Sequence, residues 1–500
     1  MLGGLEAVGL REHLQKAIGA VLANGCTCKH APGRQTLVVL VGIWRPVPLA
    51  DNIFGLSADP VPRRLEIKAF TLEAPLRGNL VADDTLLRAV VADPMPGPAL
   101  FRWVSGLPAL GTPALIGYGA LGSALAAHLL RGGADDALAF DADTVRPHNL
   151  ARHAAEVADV YGLKVAHLDR AAGAAAVPDL KPKVRLWPSD VLKLSDQELA
   201  ERLGGARMIV DSTADERVRR RLARFGACAG RQIVRAEIYH RGRLGVQFVT
   251  AASGEPGLVE LYYMLCREAP SDEAVAQWLY DEHLAGPGDD ELLFGFGCSS
   301  MTTRLPGYVV AQHAAAFMPT IVECLGGGAP TGIGLNRLDG AFHPAGWRWI
   351  DVPPFRRFVP QAAPDLSVRV HPDVVEFMAA ERAKAASNET GGYLYGGWDL
   401  SLKNIVIVAV SDLPPGSTAS ATGLELGPAG HTARENRIAL RTRGRLHLCG
   451  SWHSHPGESA GLSPKDEATM ARFRADNVRQ GLPTLLVVVA EGAVDAHLEC

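Results

Sequence analysis

PALIGYGALGSALAAHLLRGG, residues 113–133, reads as a strand, a glycine turn and a helix, and ALAFDAD, residues 137–143, follows as a second strand. Four strand residues run straight into Gly117-Tyr118-Gly119-Ala120-Leu121-Gly122, and the helix starts inside that turn. Glycines there let backbone N–H groups and a helix N-terminus approach a phosphate closely. Asp141, at the end of the second strand, is placed to hold ribose hydroxyls. On its own this fingerprint predicts NAD as readily as ATP. It does predict an α/β fold with a doubly wound, Rossmann-like sheet.

Helix and strand continue to alternate to about Gly328. A stretch rich in Pro, Trp and Gly follows, including HPAGWRWIDVPPFRRFVP, and residues 335–365 read as a linker. A second α/β block, residues 366–500, opens with a helix near His371. Before the glycine turn, residues 1–105 read as an α+β region, with a helix over Leu10 to Leu22 and strands over Thr36 to Trp44 and Arg64 to Phe70. The first domain proper is expected over residues 106–334.

Composition narrows the class. The 500 residues are 47% hydrophobic and 21% charged with a net charge of -4, which suits a globular protein with several cores. That balance points away from nucleic acid and anionic membranes as partners. The sequence shows no uninterrupted apolar run of about 18 residues and no secretory leader pattern, so a cytoplasmic protein is expected. The 8 cysteines are scattered, which does not suit a disulfide framework.

Cations separate ATP from NAD. DADTVRPHNLARH brings Asn149 and Arg152 just past Asp141, and YGLKVAHL adds Lys164. A triphosphate attacked at its α-phosphorus rewards more positive charge than a diphosphate does. IVDSTADERV offers Asp211 and Asp215 for Mg2+ at a strand end. Together these motifs resemble the ThiF/MoeB and ubiquitin-activating-enzyme superfamily, over about Ala109 to Gly328. The resemblance implies an ATP-dependent adenylating enzyme in which Asp141 binds ribose and Asn149, Arg152 and Lys164 handle phosphates. One departure stands out: the usual Asp-x-Thr-Asp-Asn reads Asp211-Ser-Thr-Ala214-Asp215 here, which moves the metal carboxylate to Asp215.

Enzymes of that kind that feed conjugation need an acyl-accepting thiol. Cys298, on a glycine-rich loop before a long helix, is the candidate, because a helix N-terminus favours thiolate. Cys266, read as following a strand, is the rival, and Cys228 and Cys324 read as core. A buried, inert role is the ordinary fate of any of them.

SWHSHPGESAGLSPKD, residues 451–466, carries the second chemistry. Histidines two apart on a strand face the same way, so His453 and His455 can reach one metal ion, and Asp466 at a helix start can supply an oxygen ligand. Two imidazoles and one carboxylate leave a fourth zinc position open to water, as in catalytic sites. Glu389, in ETGGYLYG, is the candidate general base. An ordinary helix cap would account for Ser463 equally well. HSHPGESAGLSPKD matches the JAMM/MPN metalloprotease pattern His-x-His-Pro, six residues, Ser-x-x-Asp, and ETGGYLYG resembles the family's upstream segment. Over about Val368 to Cys500 the resemblance implies that His453, His455 and Asp466 bind zinc, Glu389 moves protons and Ser463 helps polarise the scissile carbonyl. It also implies cleavage of amide or isopeptide bonds after the C-terminal glycine of ubiquitin-like proteins.

The combined expectation is activation and release of one ubiquitin-like modifier, using ATP, Mg2+ and Zn2+. A homodimer working with a separate conjugating enzyme and target proteins is expected alongside. Sulfur-carrier activation, or a nucleotide-bound scaffold presenting substrates to the peptidase, are the alternatives. Residues 1–105 suggest a docking region or a degenerate conjugating-enzyme-like fold, and GCTCKH within them, with Cys26, Cys28 and His30, reads as a loop.

Overall fold

A computed structural model describes residues 34–44, 65–75, 86–89, 95–284, 291–293, 301–399, 401–427, 431–477, 479 and 482–499. The chain divides into two compact units, Met1–Val104 and Ser105–Cys500. In the first, β1 (Arg34–Trp44), β2 (Leu65–Pro75) and β3 (Leu86–Ala89) form an antiparallel sheet in that order. The two expected strands are present there. The expected helix at Leu10 to Leu22 and the GCTCKH loop lie outside the described residues.

The second unit begins with β4 (Pro113–Ile116), α1 (Ala120–Arg131), β5 (Asp136–Phe140), α2 (Ala166–Ala175), β6 (Lys183–Trp187), α3 (Asp196–Arg202), β7 (Met208–Asp211), α4 (Glu216–Ala229), β8 (Gln232–Tyr239) and β9 (Leu244–Val249). Next come α5 (Leu258–Glu268), α6 (Glu273–Leu284), the short pair β10 (Glu291–Leu293) and β11 (Met301–Thr303), α7 (Gly307–Gly326), β12 (Gly332–Leu338) and β13 (Pro344–Asp351). Eight strands join in the order β13-β12-β9-β8-β7-β4-β5-β6. The pairs from β8 through β6 are parallel, while β9, β12 and β13 extend the sheet antiparallel. β5 lies on one side of β4 and β7 on the other, so the strand order reverses at β4. Ligands of such sheets bind in the crevice at the carboxyl ends of the strands where the order reverses. α7 has the length and composition of a membrane span, yet Val310, Ala314, Phe317 and Ile321 are buried with Leu121 and Leu125 of α1 in the core beneath the sheet.

The sequence-based linker at residues 335–365 does not hold. β12, which runs into it, and β13 within it form a hairpin that completes the eight-stranded sheet, and β14 (Arg356–Phe358) already belongs to the next sheet. That next sheet has the order β14-β15-β17-β16-β20-β21-β22, with β15 (Ser367–Val370), β16 (Gly391–Asp399), β17 (Asn404–Val410), β20 (His447–Ser454), β21 (Thr484–Ala490) and β22 (Ala493–Glu499). A small hairpin of β18 (Thr418–Ser420) and β19 (Gly423–Glu425) stands apart from it, and α8 (Pro372–Ala385), α9 (His431–Arg441) and α10 (Pro464–Asn477) complete the set.

The two sheets share one core. Val406 and Val408 of β17 and Leu446 are buried in the same cluster as Val259, Leu265 and Cys266 of α5 and Phe248 of β9. Gly397 of β16 has no room for a side chain, because a Cβ there would sit inside the ring of Tyr263 from α5. Arg267–Asp373 at 3.2 Å and Arg441–Glu273 at 2.8 Å bridge the same junction.

Candidate functional site

β20 runs antiparallel to β16, with Gly391 opposite His453, and parallel to β21, with His453 beside Val488. The pleat turns His453 and His455 to one side and Ser454 to the other. Ser454 locks the strand ends together: its amide donates to Thr390 O at 2.7 Å, and its hydroxyl accepts from Thr390 N at 3.0 Å. The Gly-Gly pair is required by close approach. A Cβ on Gly392 would lie 2.5 Å from Ser411 O, and one on Gly391 would overlap Trp452 O. Glu389, whose amide donates to Ser420 O at 2.8 Å, stands two residues before Gly391, the residue registered with His453.

Asp466 reaches the histidines from the first turn of α10. Nε2 of His453 and Nε2 of His455 are 3.0 Å apart, and each is 3.3 Å from an oxygen of Asp466. The Nδ1–H of His455 donates to Ser459 O at 3.0 Å, which leaves Nε2 as the lone-pair nitrogen. Two imidazole lone pairs and a carboxylate at this spacing call for a cation. Tetrahedral zinc with bonds of about 2.0–2.1 Å separates neighbouring ligand atoms by about 3.3 Å, so the donor set fits. Among the described residues this is the one group of His, Cys, Asp and Glu that converges closely enough to hold a metal ion.

Ser463 is both a cap and a neighbour of the site. Its amide and hydroxyl donate to Asp466 Oδ2 at 2.8 and 2.7 Å, while its Oγ accepts from Asp466 N at 3.2 Å. This is a capping box that also orients the carboxylate. Burial alone would raise Asp466, but the neighbouring His453 imidazole and the hydrogen bonds from Ser463 hold it well below the usual carboxylate range. Glu389 moves the other way, because its burial outweighs the pull of His453 and His455 and raises it. Arg382 of α8 was not singled out from sequence. It donates to the carbonyls of His455 and Pro456 at 3.1 and 3.0 Å and so holds the turn that follows the second histidine. A helix arginine carries no local signal of that task.

The crevice of the eight-stranded sheet gathers most of the other expected residues. Gly117 has φ +85, and a Cβ there would lie 2.8 Å from Thr213 Cγ2, so only glycine fits where β4 and β7 diverge. Ser212 Oγ donates to Gly117 O at 2.7 Å. Gly119 caps α1, and Gly122 is packed against Gly117 O. Asp141 accepts from Tyr118 N at 2.7 Å and from Asp143 N at 2.8 Å, which fixes it beside the glycine turn. Asn149 Oδ1 accepts from Arg146 N, and Lys164 pairs with Asp143 at 2.8 Å. Burial, together with the charges of Arg152, Arg146 and Lys164, lowers His148.

The expected Mg2+ carboxylates are engaged otherwise. Asp215 caps α4 by accepting from Arg217 N at 2.8 Å, and it pairs with the Arg217 guanidinium at 2.6 Å. Asp211 is fully buried; it accepts from Thr213 Oγ1 at 2.7 Å and pairs with Arg235. Ala214 between them has φ +52. Cys266 does not follow a strand: it lies inside α5 and is completely buried. Cys298 and the side chain of Cys228 lie outside the described residues. Cys324, buried in α7, is pushed up to about 12 by burial.

Residues 371–496 match the family of prokaryotic homologs of the JAB domain. A CD-NTase/cGAS isopeptidase from Enterobacter hormaechei subsp. hoffmannii (strain UCI 50) is 28% identical over 123 residues, which is 25% of this chain and 67% of that protein. Solved structures similar to the chain include E. coli MccB, at 12% identity and TM-score 0.34, and PaaA, at 15% and 0.34. Each overlaps 48% of this chain, and the chain spans 63% and 64% of their lengths. The chain is thus a mixed α/β protein whose C-terminal part is similar to JAB-type domains.

Proposed function

We propose that the C-terminal domain is a zinc-dependent hydrolase of amide or isopeptide bonds that follow the C-terminal glycine of a ubiquitin-like protein. The convergence of His453, His455 and Asp466 at metal-ligand spacing carries this reading. A zinc ion held by these three supplies Lewis acidity for the attack of water on the carbonyl. Glu389 accepts the proton of the attacking water and returns it to the leaving amine, a dual task suited to a carboxyl raised by burial. Ser463 keeps Asp466 oriented, and to help polarise the scissile carbonyl its hydroxyl would turn away from Asp466. The full-length protein with Glu389→Gln should keep its metal and lose cleavage of a ubiquitin-like fusion. Full cleavage by a chelator-treated sample contradicts the reading.

The crevice of the eight-stranded sheet, on the same proposal, adenylates the modifier's C-terminus with ATP and Mg2+. Support comes from the glycine turn beside Asp141 and from the positive charges of Arg146, Arg152 and Lys164 that lower His148. Asp141 takes the ribose, Asn149, Arg152 and Lys164 take the phosphates, and Cys298 accepts the acyl group for a separate conjugating enzyme. Asp215 reaches the Mg2+ only by leaving Arg217. Modifier-dependent exchange of pyrophosphate into ATP tests this half, and exchange unaffected by Arg152→Ala contradicts it.

A further inference from the structure

A cavity of about 440 Å³ opens where the two sheets of the second unit meet. One wall is the first turn of α5 with Arg224 of α4, and the other is formed by β14, β15 and the turn that joins β16 to β17. It is remote from the candidate metal centre. The cavity lies at the Asp399–Asn404 end of the β16–β17 pair, while Gly391, opposite His453, is the first residue of β16, nine residues from Asp399 counting both ends. At about 3.4 Å per residue the strand separates the two sites by roughly 25 Å.

Its charge is unbalanced. Arg224, Arg357, Arg369 and Lys403 line it, together with the carboxylates of Glu260 and Asp365. Arg369 is committed to Glu260 and to Glu255, and Lys403 to Asp365 at 2.8 Å. Arg224 and Arg357, both exposed, make no ion pair with any described residue, and the four cations outnumber the carboxylates of Glu255, Glu260 and Asp365, so the wall is net positive. Ser367, 5% exposed, carries a buried hydroxyl with no partner, and the Nε–H of Arg369 is likewise buried and unpaired. Buried polar atoms without partners are costly and call for an occupant. The α5 N-terminus opens on the same cavity and adds partial positive charge, although its Gly257 amide is already given to Glu260 Oε2 at 3.0 Å.

We propose that this cavity is a binding site for a phosphate-bearing small molecule, held by Arg224, Arg357, Ser367 and the first turn of α5. Two unpaired guanidinium forks match a phosphoryl dianion in charge and in bidentate geometry. The volume admits a ligand of mononucleotide size. Because one wall comes from α4 and α5 and the other from the second sheet, occupancy ties the two halves of the unit at a point distant from the candidate metal centre.

The test is calorimetric titration of the full chain with pyrophosphate and with AMP, in an Arg152→Ala background that weakens the other phosphate-binding crevice. At least one probe should bind, and adding Arg224→Gln with Arg357→Gln should weaken it at least tenfold. Both positions are exposed, so an unchanged melting temperature should accompany that loss. Ser367→Ala should weaken binding by a smaller factor. Binding that survives the double substitution, or no binding by either probe in the Arg152→Ala protein, overturns the proposal.

Discussion

The Nε2 atoms of His453 and His455 face each other at 3.0 Å, while Nδ1 of His455 is occupied by Ser459 O. Two imidazole nitrogens so close repel unless a proton or a metal ion stands between them. Asp466, 3.3 Å from each, adds the negative charge that favours a divalent ion over a single proton.

Ser463→Ala removes the hydroxyl that both caps α10 and donates to Asp466. Thermal or denaturant unfolding should show a loss of about 1 kcal/mol, the usual value of an N-cap. Zinc affinity, measured by competition with a chromogenic chelator, should fall by roughly 10–100-fold, as when a partner of a metal ligand is removed.

Gly397→Ala places a methyl group inside the Tyr263 ring at the junction of the two sheets. Overpacking of this kind costs about 1–3 kcal/mol. The shared core predicts that residues 105–500 unfold as one cooperative unit, so calorimetry should show one transition shifted downward. Trimming the ring with Tyr263→Leu should recover part of the loss.

Arg235 is buried against Asp211 and Glu237. Arg235→Leu leaves carboxylates in the core without their cation, which should cost about 3–5 kcal/mol in denaturant unfolding. Adding Asp211→Asn and Glu237→Gln should restore much of it.

His153 holds the glycine turn from below. Its Nδ1 accepts from Ala155 N at 2.9 Å and its Nε2–H donates to Tyr118 O at 2.7 Å, so the ring must be neutral. Burial is the main cause that lowers it from 6.5 to about 4. The unfolded chain therefore takes up the proton first. Its stabilising contribution is fully present above pH 6.5 and is lost as pH falls toward about 4. The difference amounts to about 3 kcal/mol at most. Melting temperatures of His153→Gln should decline less than wild type between pH 6.5 and 4.5.

Local pattern made the glycine turn and the histidine-bearing strand legible in the sequence. The glycine turn after Ile116 and the His-Ser-His alternation on β20 are set by residues adjacent in the chain, and they form where expected. What escaped depends on distant partners. β13 reads as linker because Pro, Gly and Trp crowd it, yet Gly334 of β12 is bare so that the Trp347 ring can lie across it. YYMLCREAP is an apolar run too short to tell strand from helix by periodicity, and it proved to be the buried face of α5. The commitment of Asp211 to Arg235, and of Arg382 to the His455 carbonyl, spans too much chain for any local pattern to reveal.

Metal content per chain, measured by elemental analysis of the full-length protein after gel filtration, bears most directly on the whole account. One zinc per chain is predicted, lost in His453→Ala and in Asp466→Ala and retained in Glu389→Gln. Purified wild-type protein with no stoichiometric metal under zinc-replete conditions, or zinc that persists in both ligand variants, contradicts it.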